Sequence, residues 1–331
     1  MTFRLFDVWR PEKYHGQGKK GNFFEGWFYK IVDAARHYIF AIIPGIHLNQ
    51  KKSESFAFIQ ILNGQNHQSA YHRFPMTEFK ATKNHFELQI GANVFQTDSI
   101  KLNLNAPEQV VQGQLHFENL APWPVTLTSP GVMGWYAFVP FMECYHGVLS
   151  LDHRIKGTLS LNEQMIDFTG GRGYLEKDWG KSFPAAYVWI QSNHFDQPGI
   201  SLMVSVAKIP WLSGWFRGFI IGFYYQRKLY RFTTYNGAQL NAVNITDSHV
   251  HVETSNRAYR LVIQAIRSSG GLLHAPYDNQ MLRRVSESLG SQVSVRFYQR
   301  NLNEECLVFS GEGVLAGLEV QGEVTALVGG N

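Results

Sequence analysis

Apolar and polar residues alternate along most of the chain, in short runs separated by turn residues. Residues 86–90 alternate in this way, and residues 100–104 and 293–297 repeat the pattern. A period of two places successive side chains on opposite faces, which is typical of β-strands with one buried face. The pattern therefore predicts an almost all-β protein.

One segment departs from this period. It begins at Pro276 and carries Met281, Leu282, Val285 and Leu289 near helical spacing. Residues three or four positions apart share one face of an α-helix. We therefore expect at most one or two short helices, one of them in this segment.

The chain is long enough for more than one domain. Its 331 residues correspond to roughly two domains of average size. Similar strand-like segments, Trp27–Val32 and Tyr187–Ser192, open the two halves and suggest an internal repeat, although the similarity is faint. We expect an N-terminal β domain over residues 1–180 and a C-terminal β domain over residues 181–331.

Composition and charge exclude several classes of protein. Aromatic residues make up 14% of the chain and the net charge is only +4, which excludes intrinsic disorder. There is no run of five basic residues, so we expect no nucleic-acid partner. Cys144 and Cys306 are too few for a disulfide scaffold, and the histidines form no His-Glu-x-x-His motif. We therefore expect no metal.

The hydrophobic segments do not predict a membrane-spanning protein. Residues 1–7 lack the apolar stretch of a signal peptide, and the apolar stretches at 38–46 and 211–225 are too short or too interrupted to span a bilayer. We expect a cytoplasmic protein.

One of these stretches allows a peripheral membrane contact. Trp211, Trp215 and Phe216 surround Gly214, and Arg217 follows. An exposed apolar lip of this kind could touch a membrane surface, whereas a buried strand is the alternative.

Two segments are dense in tryptophan and charged residues. Phe23–Lys30 reads FFEGWFYK, and Tyr174–Pro184 reads YLEKDWGKSFP and is followed by Trp189–Phe195. Together they resemble the tocopherol cyclase family, whose members carry an F-F-E-G-W signature and an E-K-[ND]-W-G segment. The resemblance runs along most of the chain from about residue 22.

The resemblance implies a fold and a reaction. The fold would be two lipocalin-like antiparallel β-barrel or sandwich units in tandem. The reaction would close a chromanol ring on a prenylated hydroquinone: a proton adds to the alkene, and the phenol oxygen captures the cation. Substrate and product have equal mass, so we expect an intramolecular lyase or isomerase without a cofactor. Such a site needs a buried acid, an apolar pocket and exclusion of water.

Two carboxylates are the leading candidates for the acid. Glu176 and Asp178 flank Lys177, and in an extended segment they would point to the same face. Paired carboxylates raise the pKa of one of them, which gives a neutral acid near neutral pH. A solvated turn at Gly180 is the alternative interpretation.

Glu25 is the third candidate for a catalytic role. It lies among apolar residues, where an unpaired charge is costly to bury, so Lys30 or Lys177 could be its partner. It is either a second acid or a residue that orients the pocket, or else one half of a structural salt bridge that holds the first strand.

The residue types and the resemblance also indicate a set of substrate-binding residues. Glu143 and His146 are three positions apart, so only one of them could face a cavity from a strand. One face of a later strand offers an aromatic wall and two amides suited to a quinol hydroxyl. The full set is Trp27, Tyr29, Glu143, His146, Tyr174, Trp179, Trp189, Gln191 and Asn193.

Two other functions fit the same residues. A lipocalin-like carrier would bind an isoprenoid or another apolar small molecule without chemistry. The more distant resemblance to carotenoid hydratases implies an enzyme in which water, rather than a phenol, captures the cation. The oligomeric state is left open.

Overall fold

The computed structural model describes residues 5–278, 280–301 and 304–329. In these residues the regular structure is β-strand apart from short 3-10 helices, so the all-β prediction is confirmed. The 3-10 helices are Leu5–Trp9, Lys52–Glu54, Met76–Glu78, Gly134–Phe138 and Val324–Leu327.

Twelve strands precede residue 181. They are β1 (Phe23–Val32), β2 (Ile39–Leu48), β3 (Phe56–Asn63), β4 (Ser69–Pro75), β5 (Phe79–Ala81), β6 (Glu87–Ile90), β7 (Asn93–Gln96), β8 (Ser99–Ala106), β9 (Gln109–Glu118), β10 (Cys144–Leu161), β11 (Gln164–Asp167) and β12 (Arg172–Gly180).

The later strands complete the described part of the chain. They are β13 (Tyr187–Ser192), β14 (His194–Phe195), β15 (Ser201–Trp211), β16 (Gly214–Tyr225), β17 (Lys228–Thr233), β18 (Gln239–Ile245), β19 (His249–Ser255), β20 (Tyr259–Ile266), β21 (Gly271–Tyr277), β22 (Gln280–Arg300) and β23 (Glu305–Gln321).

The helix expected from Pro276 onward is wrong. The segment instead lies in β21 and β22, and β22 pairs with β20 and β23. Val285 and Leu289 are buried because they belong to a period-two pattern that continues through Val293, whereas Leu282 is exposed. The ladders on both sides of β22 override the short helical spacing in the sequence.

The strands form two antiparallel sheets. The first has the order β4-β3-β2-β1-β12-β10-β9-β8-β7-β6-β5, with β11 paired to β10. The second has the order β17-β16-β15-β13-β23-β22-β20-β19-β18, with β14 paired to β23 and β21 to β22.

The chain divides into two compact units. The first comprises the residues up to Phe183 together with Leu272–Arg284, and the second comprises Pro184–Gly271 and the residues from Val285 onward. The expected domains, residues 1–180 and 181–331, stay a prediction. The compact units differ from them in that the segment Leu272–Arg284 belongs to the first unit.

Each unit has its own apolar core. In the first unit the ring of Tyr29 packs against Phe95 and Phe117, with centroids 6.0 and 5.9 Å apart. In the second unit Phe223 and Phe297 pack together among buried aliphatic side chains. Among the described residues, no helix has the length and apolar character that crossing a membrane requires.

Candidate functional site

Three neighbouring strands of the first sheet position the residues that carry chemistry. β12 lies between β1 and β10, and both pairings are antiparallel. Directly paired residues share a face of the sheet, and successive residues point to opposite faces. The segment Glu176–Asp178 therefore presents two separate side-chain clusters, one on each face.

The first cluster comprises His146, Tyr174, Glu176 and Asp178 and is called the His146 cluster below. His146 is paired with Asp178 in the ladder, and its Nδ1 lies 2.8 Å from Asp178 Oδ1. Its Nε2 lies 3.5 Å from Glu176 Oε2. The hydroxyl of Tyr174 donates a hydrogen bond to Glu176. One imidazole thus lies between two carboxylates.

The charges in this cluster favour a protonated imidazole. Burial alone would lower the pKa of His146, but the carboxylates of Asp178 and Glu176 outweigh it and raise the pKa to about 9. Burial and the same two carboxylates also raise the pKa of the Cys144 thiol, whose Sγ lies 3.9 Å from Asp178 Oδ1. At neutral pH the cluster holds an acidic proton on a partly buried cation between two acceptors.

The expectation that Glu176 and Asp178 point to the same face agrees with this geometry. Glu176 and Asp178 share one face of β12, as the extended spacing predicts, and Glu176 is buried rather than part of a solvated turn. The side chain of Asp178 remains 25% exposed. The imidazole of His146 lies between the two carboxylates, and each carboxylate lies at a different ring nitrogen.

Apolar residues and a glycine flank the same face. Phe28 and Val148 are the ladder partners of Glu176 on its two sides, and both are buried. Gly26 is the partner of Asp178 on β1, and a Cβ added there would meet no atom closer than 3.8 Å. A ligand atom could therefore approach Asp178 beside Gly26.

The second cluster lies on the opposite face and comprises His15, Glu25, Trp27, Lys177 and Trp179. It is called the Lys177 cluster below. Lys177 Nζ lies 2.6 Å from Glu25 Oε1 and 2.7 Å from His15 Nδ1, and both members of the ion pair are fully buried. The ammonium also lies over the rings of Trp27 and Trp179, at 4.8 and 4.6 Å from their centroids.

Backbone groups of the N-terminal segment complete the Lys177 cluster. The amides of His15 and Gly16 donate to the Glu25 carboxylate, and Lys177 donates to the carbonyls of Pro11 and Lys13. Burial would raise the pKa of Glu25, but Lys177 and His15 together outweigh it and lower that pKa. Burial lowers the pKa of Lys177 to about 8. This network satisfies the buried charges and ties the N-terminal segment to the sheet.

The structure does not bring Glu25 together with the other proposed acids. Its partner is Lys177, one of the two lysines considered, whereas Lys30 lies on the other face, paired with Tyr174. Of the roles considered for Glu25, its geometry fits the structural salt bridge.

Three of the expected substrate-binding residues also lie on the Lys177 face. Trp27 stacks on Phe86, Trp179 stacks on His15, and the hydroxyl of Tyr29 donates to the carbonyl of Gln96. Trp179 therefore does not cover Asp178, because adjacent residues of a strand point to opposite faces.

Glu143 precedes β10 and is half-buried. Burial raises the pKa of its carboxyl, although Lys181 acts in the opposite direction. Its backbone carbonyl accepts a hydrogen bond from the Lys181 amide. Only His146 lies within β10, so the expectation that Glu143 and His146 occupy opposite faces of one strand does not apply.

The remaining expected residues belong to the second unit. Trp189, Gln191 and Asn193 are buried, and the Gln191 amide lies 3.5 Å from Asn193 Oδ1. Gly317 leaves room for the Trp189 ring, because a Cβ there would lie 2.5 Å from it. Their role in binding a substrate stays a prediction.

The His146 cluster also contains the atoms that could ligate a cation. In the part of the chain that is described, His146, Glu176 and Asp178 are the group whose ligand atoms all lie within 4.8 Å of one another. The two carboxylates, however, lie at different ring nitrogens of His146. This arrangement fits a shared proton better than a single metal ion.

Comparison with known families identifies the chain's relatives. A model of the family described as tocopherol cyclase-like matches residues 103–322, a range that contains the whole His146 cluster but not Glu25 or Trp27. Two curated proteins are similar over shorter stretches. "Probable tocopherol cyclase, chloroplastic" from Oryza sativa subsp. japonica is 26% identical over 117 residues, and "Tocopherol cyclase, chloroplastic" from Zea mays is 29% identical over 110 residues.

These alignments cover 34% and 31% of this chain, and 25% and 23% of the two plant proteins. The chain therefore matches about a quarter of the length of these curated relatives.

Solved structures share the fold. CghA superposes with a TM-score of 0.56 at 9% identity, over 91% of this chain and 88% of CghA. An AttH candidate from Nitrosomonas europaea superposes with a TM-score of 0.53 at 10% identity, over 94% of each chain. At such low identity the likeness concerns the fold alone. The predicted fold class, all-β and lipocalin-like, is confirmed.

Proposed function

The chain belongs to the tocopherol cyclase-like family, and from this premise we propose that it is an enzyme that transfers a proton to an apolar small molecule at the His146 cluster. The observation that carries the proposal is the position of His146, with Nδ1 2.8 Å from Asp178 and Nε2 3.5 Å from Glu176. A carrier protein has no need for an imidazole held between two carboxylates.

The specific reaction in this proposal is cyclisation of a prenylated hydroquinone to a chromanol. A proton adds to the alkene carbon nearer the ring, and the π bond is consumed. The phenol oxygen then forms a C–O bond to the tertiary cation, and the phenolic proton returns to the cluster. Substrate and product are isomers, so the enzyme is an intramolecular lyase or isomerase that needs no redox partner.

Asp178 is the proposed acid because it is the more exposed carboxylate of the pair. Its partly exposed side chain can meet a substrate beside Gly26 and regain a proton from solvent. The proton that it delivers is the one held between its carboxylate and Nδ1 of the His146 imidazolium, 2.8 Å apart, and the imidazole is neutral once that proton has left.

Glu176 has a different part in the proposal. It accepts the Tyr174 hydroxyl hydrogen bond and lies at the other nitrogen of His146, which keeps the imidazole protonated and oriented. After the transfer the cluster carries two carboxylates and a neutral imidazole. The resulting negative charge stabilises the tertiary cation through space, as a fixed charge in a water-poor site does. The buried side chains of Phe28 and Val148, on either side of Glu176, exclude water that would otherwise capture the cation.

Small-molecule binding is consistent with what is known of the fold. CghA, which superposes with a TM-score of 0.56, also has a crystal structure with Sch210972. The proposed ligand of this chain is an isoprenoid or prenylquinol. The expected cytoplasmic location of the protein stays a prediction.

The test is anaerobic incubation of the protein with a panel of prenylated hydroquinones, followed by chromatography and mass spectrometry. The proposal predicts an isomeric chromanol whose formation is lost in Asp178→Asn and retained in Asp247→Asn, a change at an exposed turn. A product heavier by one water identifies a hydratase instead. Saturable binding without any product identifies a carrier.

A further inference from the structure

The hairpin formed by β15 and β16 carries an apolar tip. The two strands pair continuously up to Trp211 and Gly214, so Leu212 and Ser213 form the turn. Leu212 is 84% exposed and Trp215 is 48% exposed. Trp211 packs edge-on against Phe216 beside them. Exposed tryptophan and leucine at a hairpin tip add nothing to the core below.

The backbone at Leu212 shows that the turn itself does not require this residue. Leu212 has a φ of +50°, in the left-handed region that disfavours a leucine and favours glycine. A leucine is therefore held in an unfavourable conformation with its side chain exposed. Such strain is often found where a side chain has a role in binding.

Two positively charged residues lie close to the apolar tip of the hairpin. Lys208 and Arg217 are directly paired across the two strands, and like charges in that position repel each other. Lys208 Nζ lies 4.9 Å from the centroid of the Trp215 ring, and Arg217 donates to the carbonyls of Leu327 and Gly329. Residues 208–217 contain no acidic side chain. An anion at this point would relieve the repulsion between the two cations.

We propose that this hairpin tip inserts into the surface of an anionic lipid membrane. The side chains of Leu212 and Trp215 would enter the boundary between headgroups and acyl chains, where amphipathic rings are favourable. Lys208 and Arg217 would lie at the level of the lipid phosphates, where each basic residue strengthens binding. The proposal stands on the hairpin alone and does not depend on the reaction at the His146 cluster.

The observations favour a lipid surface over a protein partner. The apolar tip is narrow, because it consists of one two-residue turn and its flanking residues, whereas a stable protein interface buries a much larger area. The apolar side chains lie at the tip of the hairpin, and the two cations lie next to them. This order matches an anionic bilayer surface, in which the acyl chains lie beneath the charged headgroups.

The experiment is sedimentation of the full chain with vesicles of phosphatidylcholine mixed with phosphatidylglycerol, and with vesicles of phosphatidylcholine alone. The proposal predicts binding to the anionic vesicles that is about tenfold stronger than to the neutral ones. Leu212→Gly is the decisive variant, because glycine suits the backbone of the turn while the apolar side chain is removed. It should weaken vesicle binding about tenfold at an unchanged melting temperature.

A matched leucine serves as the control. Leu307 is 50% exposed and lies near the start of β23. The other end of β23, at Gln321, pairs with Tyr187, and Tyr187 also pairs with Ala207, the residue before Lys208. Leu307→Ser should bind vesicles like the wild type. The proposal is overturned if the wild type binds neither vesicle, or if Leu212→Gly binds as well as the wild type. Loss of a concentration-dependent dimer in Leu212→Gly, without vesicle binding by the wild type, would assign the tip to a second copy of the chain.

Discussion

His146 and Asp178 are directly paired on two antiparallel strands, with the imidazole Nδ1 2.8 Å from a carboxylate oxygen. The contact is set by the register of β10 and β12, because direct ladder partners share a face. It brings together residues far apart in the chain and fixes the orientation of the imidazole relative to Glu176. The proposed acid and the imidazole that shares its proton are therefore positioned by the sheet rather than by loops.

The replacement Asp178→Asn should abolish turnover without unfolding the chain. Asparagine preserves the shape of the side chain but cannot release a proton, and loss of a general acid lowers rates by about 10²- to 10⁴-fold. Product formation from a prenylated hydroquinone measures the effect, and a thermal melt checks the fold. Activity in Asp178→Asn within threefold of the wild type would reject Asp178 as the acid.

The contribution of His146 to the stability of the protein should fall as the pH rises from about 6.5 toward 9. The pKa of His146 is raised from 6.5 to about 9 in the folded state, so the folded state binds the proton more tightly than the unfolded state. The contribution is complete below the unfolded pKa and is lost as the pH passes the folded pKa. A raised pKa of this size corresponds to about 3 kcal/mol at most.

Urea denaturation of the wild type and His146→Gln at several pH values isolates this effect. The comparison is needed because the pKa of Lys177 is lowered to about 8, so its effect on stability has the opposite sign above that pH. The difference in unfolding free energy between the two proteins should shrink as the pH rises. A difference that is constant from pH 6.5 to 9 would contradict the charged His146.

The buried pair of Glu25 and Lys177 should show strong coupling in a double-mutant cycle. Lys177→Met leaves a fully buried carboxylate without its cation and should cost about 3–5 kcal/mol of unfolding free energy. The double variant Glu25→Gln with Lys177→Met should regain most of that loss. Urea denaturation gives all the values of the cycle. Additive losses would show that the two side chains do not compensate each other.

A side chain at position 26 should block the substrate without disturbing the fold. Gly26 has room for a Cβ beside Asp178, so Gly26→Ala should fold normally, and Gly26→Val should raise KM about tenfold or more by filling that space. Steady-state kinetics and thermal melts measure both variants. Gly45→Ala is the contrast, since its Cβ would lie 2.5 Å from the Phe58 ring and should lower the melting temperature. Unchanged KM in Gly26→Val would show that substrate does not approach Asp178 there.

The fold class and part of the site follow from the period of the sequence. Alternation predicted the strands, and the same period correctly placed Glu176 and Asp178 on one face. It also determines the position of Trp179, because a residue that follows Asp178 on a strand must point to the other face.

Other features depend on strand register, which one sequence does not reveal. His146 lies in β10 and Asp178 in β12, and only their pairing places the imidazole between the two carboxylates. The helical spacing after Pro276 was misleading for the same reason, since β22 is defined by its neighbours β20 and β23. The sequence offered Lys30 and Lys177 as partners for Glu25, and in the structure Glu25 forms its salt bridge with Lys177.

The central claim is that this chain adds a proton to a carbon of an apolar substrate at the His146 cluster. The most direct measurement is turnover of a prenylated hydroquinone in deuterium oxide, followed by mass spectrometry of the purified product. The claim predicts a chromanol with one deuteron on a ring carbon, formed by the wild type and absent with Asp178→Asn. A chromanol without carbon-bound deuterium, or one that Asp178→Asn forms equally fast, would contradict it.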